Sequence, residues 1–105
     1  MTALPQPETE EIAFAQVLAA LGDETRLAIV RILAENGEEP MRCGQFLHLG
    51  SKTGLSYHLS KLREAGLVCV QPEGTRRMVQ LRRGDLDRRF PGFIDSVVSC
   101  TTPPA

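Results

Sequence analysis

Residues 51–67 read SKTGLSYHLSKLREAGL, and this stretch decides the fold. Ser51 can cap a helix start, because its hydroxyl can accept a bond from an orphan amide one turn in. Leu55, Leu59 and Leu62 follow at i, i+4 and i+7, a narrow apolar stripe of helical period. Lys52, Thr53, Ser56, Tyr57, Ser60 and Lys61 fall between them. Nearly all of these donate hydrogen bonds, none is acidic, and they cover the opposite face. Gly66 suits the left-handed position that closes a helix, and Leu67 can fold back onto the stripe. A helix pinned by three leucines, with hydroxyls and ammonium groups turned outward, is built to lie against a polyanion. We read it as a helix in a DNA groove.

Working outward, Arg42 to Leu47 is long enough for one short helix, with Phe46 and Leu47 as its apolar anchors. His48-Leu49-Gly50 is then a tight turn. A short helix, a turn and a donor-rich second helix make a helix-turn-helix. On the other side, Leu67–Gln71 reads as a strand, Pro72-Glu73-Gly74 as turn chemistry, and Met78–Leu81 as the returning strand. Arg76 and Arg77 precede that second strand. A hairpin directly after such a helix is a wing.

Further out, a helix is expected from about Glu8, with Ile12, Val17, Leu18 and Leu21 apolar and Phe14 filling in. That is more apolar surface than one face needs. Gly22 stops it, and Asp23 caps the next helix, which ends at Asn36-Gly37. Asp85 could cap a last helix. Pro91 cannot sit in a helix interior, so a kink or restart is expected near Pro91-Gly92. Phe93, Ile94, Val97 and Val98 then exceed the needs of a small core. Together with the rich first helix they suggest a helical dimer interface. The expected architecture is mainly α with a small β-hairpin, a winged helix-turn-helix in the order α-α-α-α-β-β-α. Residues 1–7 are expected as a flexible tail, 8–99 as one domain and 100–105 as a second tail.

A chain of 105 residues with net charge −1 holds one small domain. The charge is uneven. Residues 1–40 carry two basic and eight acidic side chains, and residues 41–105 carry ten basic and five acidic. A nucleic-acid face on one side fits that asymmetry. Met1 to Pro7 lacks the basic start and apolar run of a signal peptide. No stretch approaches the ~18 apolar residues of a membrane span. Cys43, Cys69 and Cys100 are odd in number and widely spaced, which implies reduced thiols in a cytoplasmic protein. A Gly-rich phosphate loop, a G-x-S-x-G elbow and an H-E-x-x-H helix are all missing from the sequence. The expectation is a binding protein rather than an enzyme, with no cofactor.

Three segments carry a resemblance. LAALGDETRLAIVRIL (18–33), SKTGLSYHLSKLREAGLV (51–68) and EGTRRMVQL (73–81) resemble the ArsR/SmtB family of bacterial winged-helix repressors. The likeness spans about residues 12 to 98. It implies a homodimer through the first and last helices. It implies binding to double-stranded DNA at an inverted-repeat operator near the chain's own promoter, and release by a ligand. On that reading Lys52, Thr53, Ser56, Tyr57 and Ser60 face the major groove. Lys61 and Arg63 touch phosphate, although Arg63 could instead pair with a neighbouring acid. Arg76 and Arg77 reach the adjacent minor groove or its phosphates. His58 is a contact candidate or a histidine packed against the wing. Arg82 and Arg83 are expected as solvated surface.

The family's metal sites leave few matches here. Its Cys-x-Cys pair falls on Met41-Arg42-Cys43, which keeps one ligand. Its interface site needs histidine on the last helix, where 85–99 has none. A zinc or arsenite site needs three or four soft or borderline ligands. Thiol sensing through Cys43 and Cys100 is the better candidate. The alternatives are that these cysteines are incidental packing residues, that a small organic ligand binds at the dimer interface, or that no ligand exists. A winged helix used for protein–protein contact is the rival class.

Overall fold

The computed structural model describes residues 5–37 and 39–101. Its elements run as a 3-10 turn (Thr9–Glu11), α1 (Phe14–Leu21), α2 (Glu24–Glu35), β1 (Met41–Arg42), a 3-10 helix (Cys43–Leu49), α3 (Lys52–Glu64), β2 (Val68–Glu73), β3 (Arg76–Leu81), α4 (Arg83–Arg89) and α5 (Phe93–Thr101). The sheet is antiparallel in the order β1-β3-β2. Helices α1, α2 and α3 pack on one another, and α5 lies on α2. Val17, Val30, Leu33, Phe46, Leu62, Leu67, Val79, Leu86 and Ile94 are fully buried among them. Each such side chain stabilises the fold by roughly 1.5–3 kcal/mol. No helix among the described residues is long and apolar enough to cross a membrane.

Helices α2 and α3 form as their caps dictate. Asp23 accepts the Arg26 amide at 3.0 Å, and Ser51 accepts the Gly54 amide at 3.0 Å. Helix α3 closes at Gly66, φ +88°. The Leu67 amide reaches back to the Leu62 carbonyl and the Gly66 amide to that of Arg63, both at 3.0 Å. This pair of hydrogen bonds is the Schellman closure, and it turns Leu67 into the core.

Several expectations are corrected. No helix runs unbroken from Glu8. Ile12 is extended (φ −69°, ψ 116°) and fully buried. It fills the space beside Gly66, and the Arg89 guanidinium holds its carbonyl at 2.6 Å. That plug is incompatible with helical geometry, so α1 starts after it. Leu47 is 46% exposed, leaving Phe46 as the one buried anchor of the short helix. The wing gains a third strand, because Arg42 joins β1 opposite Met78 instead of entering the short helix. The hairpin turns at Gly74-Thr75. Pro72 lies inside β2, an edge strand, where a missing N–H is tolerated.

At the C-terminal end, Arg82 rather than Asp85 is the cap residue of α4; Asp85 lies in the helix's first turn, and the helix stops before Pro91. The break falls where proline required it. Arg82 and Arg83 are not loose surface groups. Arg82 pairs with Asp85 at 3.0 Å, and Arg83 pairs with Asp87 at 3.2 Å and also with Asp95. Residues 5–7 are tied down: the Pro5 carbonyl accepts from Arg63, the Pro7 carbonyl from Arg82, and the Gln6 amide meets the Cys69 sulfur at 3.4 Å. The rest of the expected N-terminal tail, residues 1–4, lies outside the described residues. Helix α5 takes in Cys100 and Thr101, and residues 102–105 are likewise outside.

Candidate nucleic-acid interface

Leu55, Leu59 and Leu62 are buried and hold α3 against the body. The opposite face is therefore free. Lys52, Thr53, Ser56, Tyr57 and Lys61 are exposed on it, and Ser60 is half-buried. Tyr57 is 56% exposed, and the Lys61 ammonium stands 5.4 Å from its ring centre. Contact with the ring face holds that charge near the exposed face of α3.

Ten of the twelve basic side chains fall into two groups; Lys61 stands over the Tyr57 ring, and Arg88 is exposed. Arg26, Arg31, Arg63, Arg82, Arg83 and Arg89 are each bonded to a carbonyl, a carboxylate or a ring nitrogen of the chain. Arg63 bonds the Pro5 carbonyl at 2.9 Å rather than a neighbouring acid. The other group is Arg42, Lys52, Arg76 and Arg77. None of these four joins an ion pair among the described residues, and all four line one concavity of about 670 Å³. No carboxylate lines it. The start of α3, the edge of β1 and the tip of the wing frame the hollow. Four uncompensated cations around one hollow repel one another by Coulomb's law. A polyanion relieves that repulsion.

Of these four, Arg42 was missed by the sequence reading. A two-residue strand carries no periodicity to read. Only its pairing with β3 brings Arg42 beside Arg76 and Arg77. Sequence reasoning had one available signal: the absence of any acid within three residues on its C-terminal side.

His58 is not packed against the wing. Its Nδ1 lies 3.1 Å from an Arg26 guanidinium nitrogen and 3.9 Å from an Asp23 carboxylate oxygen. Its side chain is 20% exposed. The amide of Arg26 donating to Asp23 holds that carboxyl below the usual carboxylate range, with further help from the Arg26 charge. The ring faces the start of α2 and stands edge-on to Tyr57, 5.7 Å between centres.

The three cysteines are free thiols. Cys43 is half-buried and lines the cationic hollow. Burial pushes its thiol up, against the pull of Arg77. A raised thiol is a slower nucleophile at neutral pH. Cys100 is exposed near the end of α5, an element that packs on α2 and α4. Among the described residues no three His, Cys, Asp or Glu side chains converge as a metal site would require.

An apolar patch lies on α1 and around the α4–α5 break. Phe14 is 43% and Leu18 48% exposed. The Phe14 ring stands 4.8 Å from that of Phe90 and 5.0 Å from that of Phe93.

Residues 21–71 match a family described as a helix-turn-helix domain. An HTH-type transcriptional regulator of Bacillus subtilis is 39% identical over 85 residues, which is 79% of this chain and 84% of the relative. An HTH-type transcriptional regulator of Mycobacterium tuberculosis is 42% identical over 78 residues, 66% of this chain and 70% of the relative. A putative arsenical resistance operon repressor, ArsR, of Halobacterium salinarum is 46% identical over 72 residues, 66% of this chain and 55% of the relative.

Proposed function

Because the chain belongs to the ArsR family of winged helix-turn-helix transcriptional regulators, we propose that it is a homodimeric repressor of an inverted-repeat DNA operator. One observation carries this reading: Arg42, Lys52, Arg76 and Arg77, none in an ion pair among the described residues, stand around a single hollow at the start of the donor-bearing helix. In this reading Thr53, Ser56, Tyr57 and Ser60 meet base edges in the major groove. Lys52, Lys61, Arg42, Arg76 and Arg77 hold phosphate, which fixes register without reading sequence. Phe14, Leu18, Phe90 and Phe93 become the centre of the subunit contact. A two-fold dimer then presents two α3 helices one helical turn, ~34 Å, apart. The protein works in the cytoplasm, where its operator is.

The releasing signal in this proposal is thiol chemistry or a small organic ligand rather than a metal ion. Cys43 is the one thiol left of the Cys-x-Cys pair, and Cys100 is open to oxidants. Mass spectrometry after mild peroxide tests the thiol branch. A Cys43–Cys100 linkage with lost DNA affinity supports it; no linkage and unchanged affinity end it.

A gel shift with the duplex upstream of the chain's own gene tests the main reading, alongside sedimentation of the free protein. A dimer that prefers the palindrome over a scrambled duplex at moderate salt is expected. A monomer, or equal affinity for both duplexes, overturns it.

A further inference from the structure

We infer that His58 is a positioning residue rather than a reader of bases: its ring accepts the Arg26 guanidinium and so fixes the reading helix to the corner where α1 ends and α2 begins. The three leucines of α3 cannot do this alone. Apolar burial is non-directional, and a stripe three residues long resists removal of the helix far more than its rolling. A hydrogen bond supplies the missing direction.

The bond's polarity follows from chemistry. A guanidinium has donors only. The nitrogen 3.1 Å from it, Nδ1 of His58, must therefore offer its lone pair. The ring is then neutral, with its proton on Nε2. The same guanidinium donates from Nε to the Ala20 carbonyl at 2.5 Å. Ala20 lies in the last turn of α1, where carbonyls have no partner within the helix. One side chain thus bridges the end of α1 to the middle of α3. Arg26 is itself seated by Asp23, whose carboxylate caps its amide. Asp23 and Arg26 are the charged groups that face His58 from α2. The crevice beside the ring is otherwise lined by Leu49, Gly50 and Ser51 before the helix, Gly54 and Leu55 within it, and Thr25.

Two consequences follow. The ring edge of His58 sets the seat of Tyr57, which is exposed toward the groove. Arg26 joins the helix that bears Phe14 and Leu18 to the middle of α3, as the Gln16 side-chain amide, donating to the Glu64 carbonyl at 3.3 Å, joins it to the end.

Two measurements test the inference, and only the second rests on the DNA-binding reading. The first needs no DNA. Long-range proton–nitrogen NMR of the free protein, with His48→Asn to identify the other ring, should show His58 neutral with its proton on Nε2. Arg26→Ala should move the His58 Nδ1 resonance; Arg26→Met, which keeps the stem, serves if Arg26→Ala does not fold. A proton on Nδ1, or a resonance indifferent to Arg26, overturns the inference.

The second selects duplexes from a random pool with the wild-type protein and measures variants on the winning motif. His58→Ala and Arg26→Met should each weaken binding about tenfold, and the double variant should be no worse than either, as for residues acting through one link. His58→Asn, whose Oδ1 stands near the place of Nδ1, should recover most of the loss. The selected motif should be unchanged throughout. A motif altered at one base pair by His58→Ala alone, with Arg26 neutral, makes His58 a reader and overturns the inference. If the wild-type protein selects no motif, the DNA-binding reading falls, and the NMR result still decides the link.

Discussion

Two glycines show how much a single missing Cβ can decide. At Gly66 the backbone is left-handed, φ +88°, and a Cβ would stand 2.6 Å from Cγ1 of Ile12. Gly74 is also left-handed, φ +64°, with open space around it. Gly66→Ala combines backbone strain with a clash against a fully buried side chain, and should cost about 3 kcal/mol in urea unfolding. Gly74→Ala should cost about 1 kcal/mol, for strain alone. Equal losses would show that Ile12 yields freely, and the plug would lose its role. Asp23 gives a second test. Its carboxyl is held below its ordinary range by the Arg26 amide. A depressed carboxyl adds stability that is present above the unfolded value and is lost as pH falls through the folded one. Asp23→Ala should therefore cost about 1 kcal/mol at neutral pH, and the gap from wild type should close below about pH 4. A gap constant from pH 7 to pH 3 would exclude the cap.

Among the elements, the proposed interface gives the helix and the wing different work on a duplex. The wing and β1 bring unpaired cations, and each phosphate they neutralise adds about 0.9 to the slope of log affinity against log salt. Arg76→Ala with Arg77→Ala should flatten that slope by about 2, and Arg42→Ala by about 1. Arg83→Ala should leave the slope alone and cost about 0.5 kcal/mol of stability, because Arg83 is tied to Asp87 and Asp95. A slope unchanged by the wing variants would remove the wing from the interface. Ser56→Ala and Tyr57→Ala should instead change the preferred sequence more than the bulk affinity. The sequence exposed these elements unevenly. Helix α3 was legible from its cap, its leucine spacing and its terminal glycine, all local signals. Strand β1 was not, since two residues show no period and only pairing with β3 defines them.

At the scale of the whole molecule, the apolar patch on α1 and beside α5 is what a second copy would cover. Leu18→Glu should yield a folded monomer, because Leu18 is 48% exposed and its side chain is not needed by the core. Sedimentation should show half the mass, and preference for a palindromic duplex should vanish with it. A dimer that survives would place the subunit contact elsewhere. The charge pattern also changes meaning at this scale. The basic half of the chain suggested a basic face, yet most of its arginines from residue 82 onward are consumed by internal partners. The face that is left is narrower than composition implied.

The sequence by itself determined the elements whose signals are local: the capped reading helix, the helix from Asp23, the hairpin and the break at Pro91. Capping, periodicity and proline act over a few residues, so they can be read from a few residues. Tertiary structure alone decided that Ile12 leaves the helix to fill the space beside Gly66, that Arg42 joins the wing, which arginines stay unpaired, and that His58 turns to Arg26. The Ile12–Gly66, Arg42–Met78 and His58–Arg26 contacts each join residues at least 30 positions apart, and whether a charge is free or a ring is bonded depends on what folding sets beside it.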